Sequence, residues 1–275
     1  MAGLQQLKSR LHSVKISKQL ASAMKTVASV KYSRLSAMQN SYKPYADMCH
    51  HMKSLMTVRS PEITEDLPEC VVIIGSNKGL CGSYNSELRS YVEEKGIYVG
   101  NKIIIVAGKK AIAYFSEKKI PVYKEFVLPD VPVYSDCEAL TETVKNLYFD
   151  GKVKTVDIVY QKYVNTFTRI PSQKRIFPFN SAGDSAAEDI LVLPDVNTFY
   201  SSATDKIIGS DIYSVCLEAA LGAQAATLLA MRTAYDNAET TVVLLQNEIN
   251  RKRQSAVTAG VLETSNEIFK EGDGR

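Results

Sequence analysis

All nine prolines of this 275-residue chain lie between Pro44 and Pro194, so the strongest helix breaker is confined to its middle. Residues 4–43 contain neither Gly nor Pro, and within residues 210–259 only Gly222 interrupts. A proline in a helix interior costs ~3 kcal/mol and a glycine ~1 kcal/mol, so both ends are free to form helices of uncommon length. An unbroken helix of ~45 residues runs roughly 65–70 Å, several times the usual globular length. Two such helices bracketing a mixed segment predict an antiparallel coiled-coil shaft joined to a compact head. The expected fold class is mixed α+β: long N- and C-terminal helices plus a central Rossmann-like α/β domain with a mostly parallel sheet. The composition divides the chain into a first helix (residues 1–58), an α/β domain (68–195) and a last helix (208–270).

Within the middle, apolar β-branched runs alternate with helical patterns. Residues 70–74, 102–107, 121–128 and 153–164 read as strands, and 167–179 as a further strand bent at Pro171. Residues 83–95, 109–117 and 137–149 read as the helices between them. Near-continuous apolar strands alternating with helices predict a parallel sheet covered on both faces. Residues 60–68 read as a linker and 180–189 as a small-polar loop. The last helix is expected to open at Ser210 or Asp211, both good N-cap types.

In the first helix Leu4, Leu7, Leu11 and Val14 follow a 3–4–3 spacing. The apolar stripe is then expected to change register onto Ile16, Leu20, Met24 and Val27, a coiled-coil discontinuity. Residues 45–58 are expected to carry the helix past Pro44 with a kink. In the last helix Ala219, Ala223, Ala226, Ala230 and Ala234 form a stripe of small side chains, which lets two helices approach closely. The expected seam sets Ala226 and Ala230 against Ile16, Leu20 and Val27.

Charge is unevenly placed: residues 1–58 hold nine Lys/Arg against the single acid Asp47, while both later segments are slightly acidic. A basic first helix implies an anionic partner, which acidic protein loops, nucleic acid or lipid headgroups would each supply. A basic coiled-coil adaptor for nucleic acid or an anionic membrane surface is therefore one reading. Five cysteines without a CxxC pair favour reduced thiols. No eighteen consecutive residues are apolar, so no membrane span is expected. The basic N-terminus superficially resembles a transit peptide, but its helical pattern runs on too far, so it reads as mature protein.

Catalytic constellations are scarce. The three histidines, His12, His50 and His51, all fall in the predicted first helix, leaving the α/β segment without an imidazole base. Cys49-His50-His51 are adjacent and point in different directions around a helix, which disfavours chelation of one ion. The cluster Gly75-Ser76-Asn77-Lys78-Gly79-Leu80-Cys81-Gly82 follows a strand and precedes a helix, as a phosphate loop would. A P-loop needs Lys-Ser/Thr after its second glycine, yet Lys78 precedes Gly79 and Leu80 follows it. The dinucleotide fingerprint needs glycine where Asn77 stands. Gly79, Leu80, Cys81 and Gly82 are expected to make a tight turn, and no nucleotide, metal or cofactor is expected. Farther along, Arg251, Lys252 and Arg253 put three cations on one helical turn, suited to acidic loops or to a helix C-terminal dipole.

These segments together resemble the gamma subunit of the rotary (F-type) ATP synthases. The likeness rests on Leu7–Arg10, Ser13–Leu20 and Ala23–Ala28, on Gly79–Gly82 with Tyr84-Asn85, and on two C-terminal motifs. These are Ala225-Ala226…Ala230-Met231…Ala234…Asn237-Ala238 and Asn250…Arg253-Gln254…Thr258. The resemblance implies a noncatalytic central-stalk rotor that couples rotation of a membrane c-ring to the beta-subunit catalytic sites. It implies as partners a hexamer of alpha and beta subunits, epsilon/delta-type stalk subunits and the c-ring. It assigns beta-subunit contact to Met24, Arg253, Gln254 and Thr258. It places the chain peripherally on the matrix side of the mitochondrial inner membrane, or on the cytoplasmic side of a bacterial plasma membrane. Thr227 stands where the family usually has Arg, and Gly260 where it usually has an acid, so part of the cationic catch is missing. No long cysteine-bearing insertion of the chloroplast type is present.

Overall fold

The structure, a computed structural model, describes residues 2–55, 67–179 and 196–272. Its elements in chain order are α1 (Ala2–Leu55), β1 (Glu69–Ile74), α2 (Tyr84–Glu94), β2 (Lys102–Ala107) and α3 (Lys109–Glu117). They continue with β3 (Lys124–Phe126), α4 (Glu138–Phe149), β4 (Thr155–Tyr163), β5 (Arg169–Phe177) and α5 (Val196–Gly272). Among the described residues the strands form one sheet in the order β3-β2-β1-β4-β5, parallel throughout except for antiparallel β5. The chain divides into two compact units: residues 27–229, and residues 1–26 with 230–275. The expected linker (60–66 of it) and the loop 180–189 lie outside the described residues, as does the end of the stretch 45–58.

In the larger unit the two-residue strand period sorts the core into two layers. Cys70, Val72 and Ile74 of β1 join Ile105, Val156, Ile158 and Tyr160 on one face. That face is covered by Leu140, Val144 and Leu147 of α4 and by Ile208, Ile212 and Cys216 of α5. Val71 and Ile73 point the other way and pack with Ile104, Val106 and Val159 under Leu88, Val92, Ala111 and Phe115 of α2 and α3. Pro171 pairs with Gln161 within an uninterrupted β5, which an edge strand permits because its outer N–H groups need no partner. Asp157, 2% exposed on β4, is held by a two-pronged ion pair from Arg175 of β5 at 2.7 and 2.9 Å. The Asp157 carboxylate in turn raises the Arg175 pKa.

Of two expectations about the long helices, continuation past Pro44 holds as far as Leu55 and the N-cap of the last helix fails. α1 runs through Pro44 to Leu55, with the proline inside the helix on its exposed side. α5 is already helical from Val196, so Ser210 and Asp211 are interior residues and not its N-cap. Ser210 is only 2% exposed. Asp211 spends both oxygens on lysines from other elements, Lys53 at 2.7 Å and Lys174 at 2.9 Å. Burial disfavours its charge, but the two ammonium groups hold its pKa below the ordinary aspartate value.

The smaller unit pairs the start of α1 with the latter part of α5 in antiparallel register. Leu11 packs with Leu245 and Ile249, with Leu4, Leu7, Val14 and Val242 alongside. Lys18 then meets Glu239 at 3.0 Å, and the ammonium groups of Lys18 and Lys25 lie 4.9 and 4.6 Å from the centre of the Tyr235 ring. The expected register change does not occur. Burial along α1 keeps a strict seven-residue repeat, through Leu4, Leu11, Lys18 and Lys25, and through Leu7, Val14, Ala21, Ala28 and Leu35. Ile16, Leu20 and Val27, expected in the seam, are 52%, 58% and 54% exposed. The seam tolerates lysine because the long methylene stem covers apolar surface while the ammonium reaches a ring face and a carboxylate.

The alanine stripe also faces elsewhere. Ala223 and Ala226 pack on Cys81 and Tyr84 of the α/β core, and the Tyr84 hydroxyl donates to the Ala219 carbonyl at 2.9 Å. A Cβ on Gly222 would lie 3.5 Å from both the Gln161 carbonyl and the Tyr84 ring. Small side chains let α5 approach this layer, so Ala226 does not face Ile16 or Leu20. Ala230 is half-buried on the same helix.

Candidate interaction surfaces

The glycine turn sits at the carboxyl end of β1, where a doubly wound sheet would hold a ligand. Gly75 is required there: a Cβ on it would come within 2.8 Å of the Ala111 Cβ. Leu80 and Gly82 both adopt positive φ, 63° and 57°, which folds the turn back on itself. The Ser76 hydroxyl donates to the Lys78 carbonyl at 2.7 Å and accepts from Asn85 Nδ2 at 2.8 Å. Asn85 Nδ2 also reaches the Cys81 sulfur at 3.1 Å. The turn therefore spends its polar groups on itself. Cys216, Ala219, Ala223 and Thr227 of α5 close over it, leaving about 50 Å³, far below the space a nucleotide needs.

Lys78 is committed to Asp130, at 3.1 Å. Asp130 also takes Lys31 of α1 at 2.5 Å, and Asn77 donates to the neighbouring Leu128 carbonyl. Burial opposes ionisation of Asp130, yet the two lysines hold its pKa below the ordinary aspartate value. Nothing in the sequence marks this carboxylate, since its partners Lys31 and Lys78 lie in other segments.

Residues 250–262 of α5 are exposed throughout, and among them Gln254 and Thr258 share one side of the helix, with Arg253 about 100° round from Gln254. The Thr258 hydroxyl donates to the Gln254 carbonyl at 3.0 Å, while the Gln254 side chain and the Arg253 guanidinium face solvent. Lys252 reaches Glu248 at 3.7 Å. Met24 is half-buried on α1. Thr227 donates to the Ala223 carbonyl at 2.9 Å and borders the glycine turn. Gly260 has open space around its missing side chain.

Along its length the smaller unit also exposes apolar side chains. Ile16, Leu20, Val243, Leu244, Val257, Val261 and Leu262 are each more than half exposed. Nucleic-acid binding finds little support here: Lys18 and Lys25 are committed to Tyr235 and Glu239. Tyr32 and Tyr42 pack against the α/β core and do not offer open faces for bases to stack on.

Residues 3–265 match the family model described as ATP synthase. The chain is 29% identical to the ATP synthase gamma chain of Staphylococcus carnosus, over 96% of this chain and 97% of that one. It is 27% identical to the ATP synthase gamma chain of Mycoplasma mobile, with the same coverages of 96% and 97%. Among solved structures, a chain of the Euglena gracilis mitochondrial ATP synthase (OSCP/F1/c-ring, rotational state 3) shares the fold with a TM-score of 0.77 at 17% identity. That likeness covers 99% of this chain and 96% of the other. A chain of the Tetrahymena thermophila mitochondrial ATP synthase central stalk and c-ring gives 0.62 at 19% identity, over 78% and 99%.

Proposed function

We propose that this chain, which belongs to the ATP synthase family and within it to the gamma chains, is the noncatalytic rotor of the central stalk. In this reading it couples rotation of a membrane c-ring to conformational change at beta-subunit catalytic sites. The observation that carries it, beyond family membership, is the outer surface of the smaller unit. Its seam is already satisfied by Leu11, Leu245 and Ile249, yet seven further large apolar side chains stay more than half exposed. Apolar side chains left outside the chain's own seam are available to partner subunits that enclose a shaft. Apolar contacts are non-directional, so they hold a turning surface without fixing one angular position.

The cationic run Arg251–Arg253 then supplies directional contacts to acidic beta-subunit loops, with Gln254 and Thr258 beside it, while Met24 contributes farther along the shaft, near the level where its neighbour Lys25 lies over Tyr235. The filled crevice at the glycine turn supports a noncatalytic role, with Gly79–Gly82 acting as a turn that seats α5. Partners are the alpha and beta subunits, the epsilon/delta-type stalk subunits and the c-ring. The chain then sits peripherally on an energy-transducing membrane: the mitochondrial inner membrane on its matrix side, or a bacterial plasma membrane on its cytoplasmic side. Affinity purification of the tagged chain from gently solubilised membranes tests this. It should recover those subunits in fixed stoichiometry with ATP hydrolysis activity, and membrane fractionation assigns the compartment. Recovery with nucleic acid and without alpha or beta subunits would overturn the rotor reading in favour of the basic adaptor.

A further inference from the structure

Between α2 and α3, on the sheet face opposite α4, lies a cavity of about 250 Å³ that the rotor reading does not use. Ile73, Leu88, Val92, Ala111 and Phe115 line it, each no more than 7% exposed. Its mouth carries two cations, Arg89 and Lys110, together with the turn residues Gly79 to Gly82. The Lys110 ammonium lies 3.9 Å from where a Cβ on Gly79 would be, a place open only because that residue is glycine.

Neither cation has a carboxylate partner among the described residues. Arg89 donates Nε to the Asn85 carbonyl at 3.3 Å. The nearby acid, Glu93, is taken by the Tyr114 hydroxyl at 2.6 Å and by Lys118 at 3.0 Å. Leu80 at the same mouth holds a positive φ, with its side chain 58% exposed. Although the Arg89 guanidinium also lies 5.8 Å from the centre of the Tyr114 ring, an apolar chamber with positive charge unpaired by carboxylate at one end selects a molecule of the opposite polarity: an apolar body with one anionic head. At ~30 Å³ per water-sized group, the chamber holds about eight such groups, too few for a nucleotide.

We propose that this cavity binds an amphipathic monoanion, a medium-chain alkyl carboxylate being its simplest form. The tail lies on Ile73, Leu88, Val92 and Phe115, and the carboxylate sits between Arg89 and Lys110. Cys81 lines the cavity and also packs against Ala223 and Ala226, so the occupied site borders the seat of α5.

The test is calorimetric titration of the full-length chain with octanoate, with octanol and acetate as controls. Octanoate should bind one to one, octanol about tenfold more weakly, and acetate not measurably. Arg89→Gln and Lys110→Gln should each weaken octanoate by about tenfold, and Ser86→Trp, which fills the mouth, should abolish binding. All three positions are exposed, so the melting temperatures of these variants should match the parent, confirming folded protein. Equal affinity for octanol, or binding that survives both charge removals or the tryptophan plug, would sink the proposal. So would the absence of octanoate binding at millimolar concentration. If octanoate fails while Lys110 is shielded from acetylation in the assembled complex, the cavity is a protein contact and the small-ligand reading falls.

Discussion

Asp130 joins three segments distant in sequence: its own loop, Lys31 of α1 and Lys78 of the glycine turn. Its side chain is 17% exposed, whereas that of Lys78 is 70% exposed, so the pair with Lys31 at 28% is the better shielded of the two. Replacing Asp130 by Asn leaves two ammonium groups facing a neutral amide and should destabilise the chain by ~1–3 kcal/mol in urea unfolding at neutral pH. The pH dependence has a definite sign. The folded pKa lies below the unfolded value, so the stabilisation is complete above the ordinary aspartate pKa. It is lost as pH falls through the depressed folded value. The difference between parent and Asp130→Asn should therefore shrink on acidification below about pH 4. A difference that stays constant down to pH 2 would assign the loss to packing. This contact was not legible in the sequence, because hydrogen-bond partners 99 and 52 residues away leave no local pattern. The turn beside it was legible: Gly75 and Gly82 are where the chain needs close approach and positive φ.

At the scale of elements, strands and short helices followed from their periodicity, and residues 102–107 and 109–117 match β2 and α3 residue for residue. The long helices were legible as helices but not in how they face. Apolarity alone favoured Ile16 and Leu20 over Lys18, although the seven-residue repeat of Leu4 and Leu11 continues through Lys18 and Lys25. The misleading signal was itself informative, since an apolar line excluded from the seam is available to a partner. Leu11→Ala should cost ~2–4 kcal/mol in the stability of the smaller unit, and Leu20→Ala less than ~0.5 kcal/mol. Comparable losses at both positions, read by thermal unfolding, would restore the register change. The alanine stripe gives a second check on facing. Ala226→Phe should overpack Cys81 and Tyr84 of the α/β core and cost ~1–3 kcal/mol. Its signature is perturbed environments at Cys81 and Tyr84 in side-chain NMR, with Ile16 and Leu20 unmoved.

At the scale of the whole molecule, the cationic run near residue 253 has two competing explanations. One is compensation of a helix C-terminal dipole, worth ~0.3–1 kcal/mol and confined to the last turn. α5 continues to Gly272, well beyond Arg253, so that explanation has no dipole end to act on. The other is contact with acidic loops of the catalytic subunits, for which an exposed guanidinium without a carboxylate partner among the described residues is the suitable group. A charge-assisted hydrogen bond at a partly desolvated interface is worth ~1.5–3 kcal/mol, and about 1.4 kcal/mol corresponds to a factor of ten in rate. Thr227 offers no charge, and its hydroxyl is committed to the Ala223 carbonyl. On the rotor proposal, the directional part of the contact then falls to Arg253. Arg253→Ala in the assembled complex should lower ATP turnover by about tenfold or more, with subunit composition unchanged. Arg253→Lys should recover only part of the loss, because a single ammonium cannot reproduce the planar two-pronged fork. Turnover and coupling equal to the parent in the alanine variant would show that the apolar surface alone transmits the motion and that the cations are solvated bystanders.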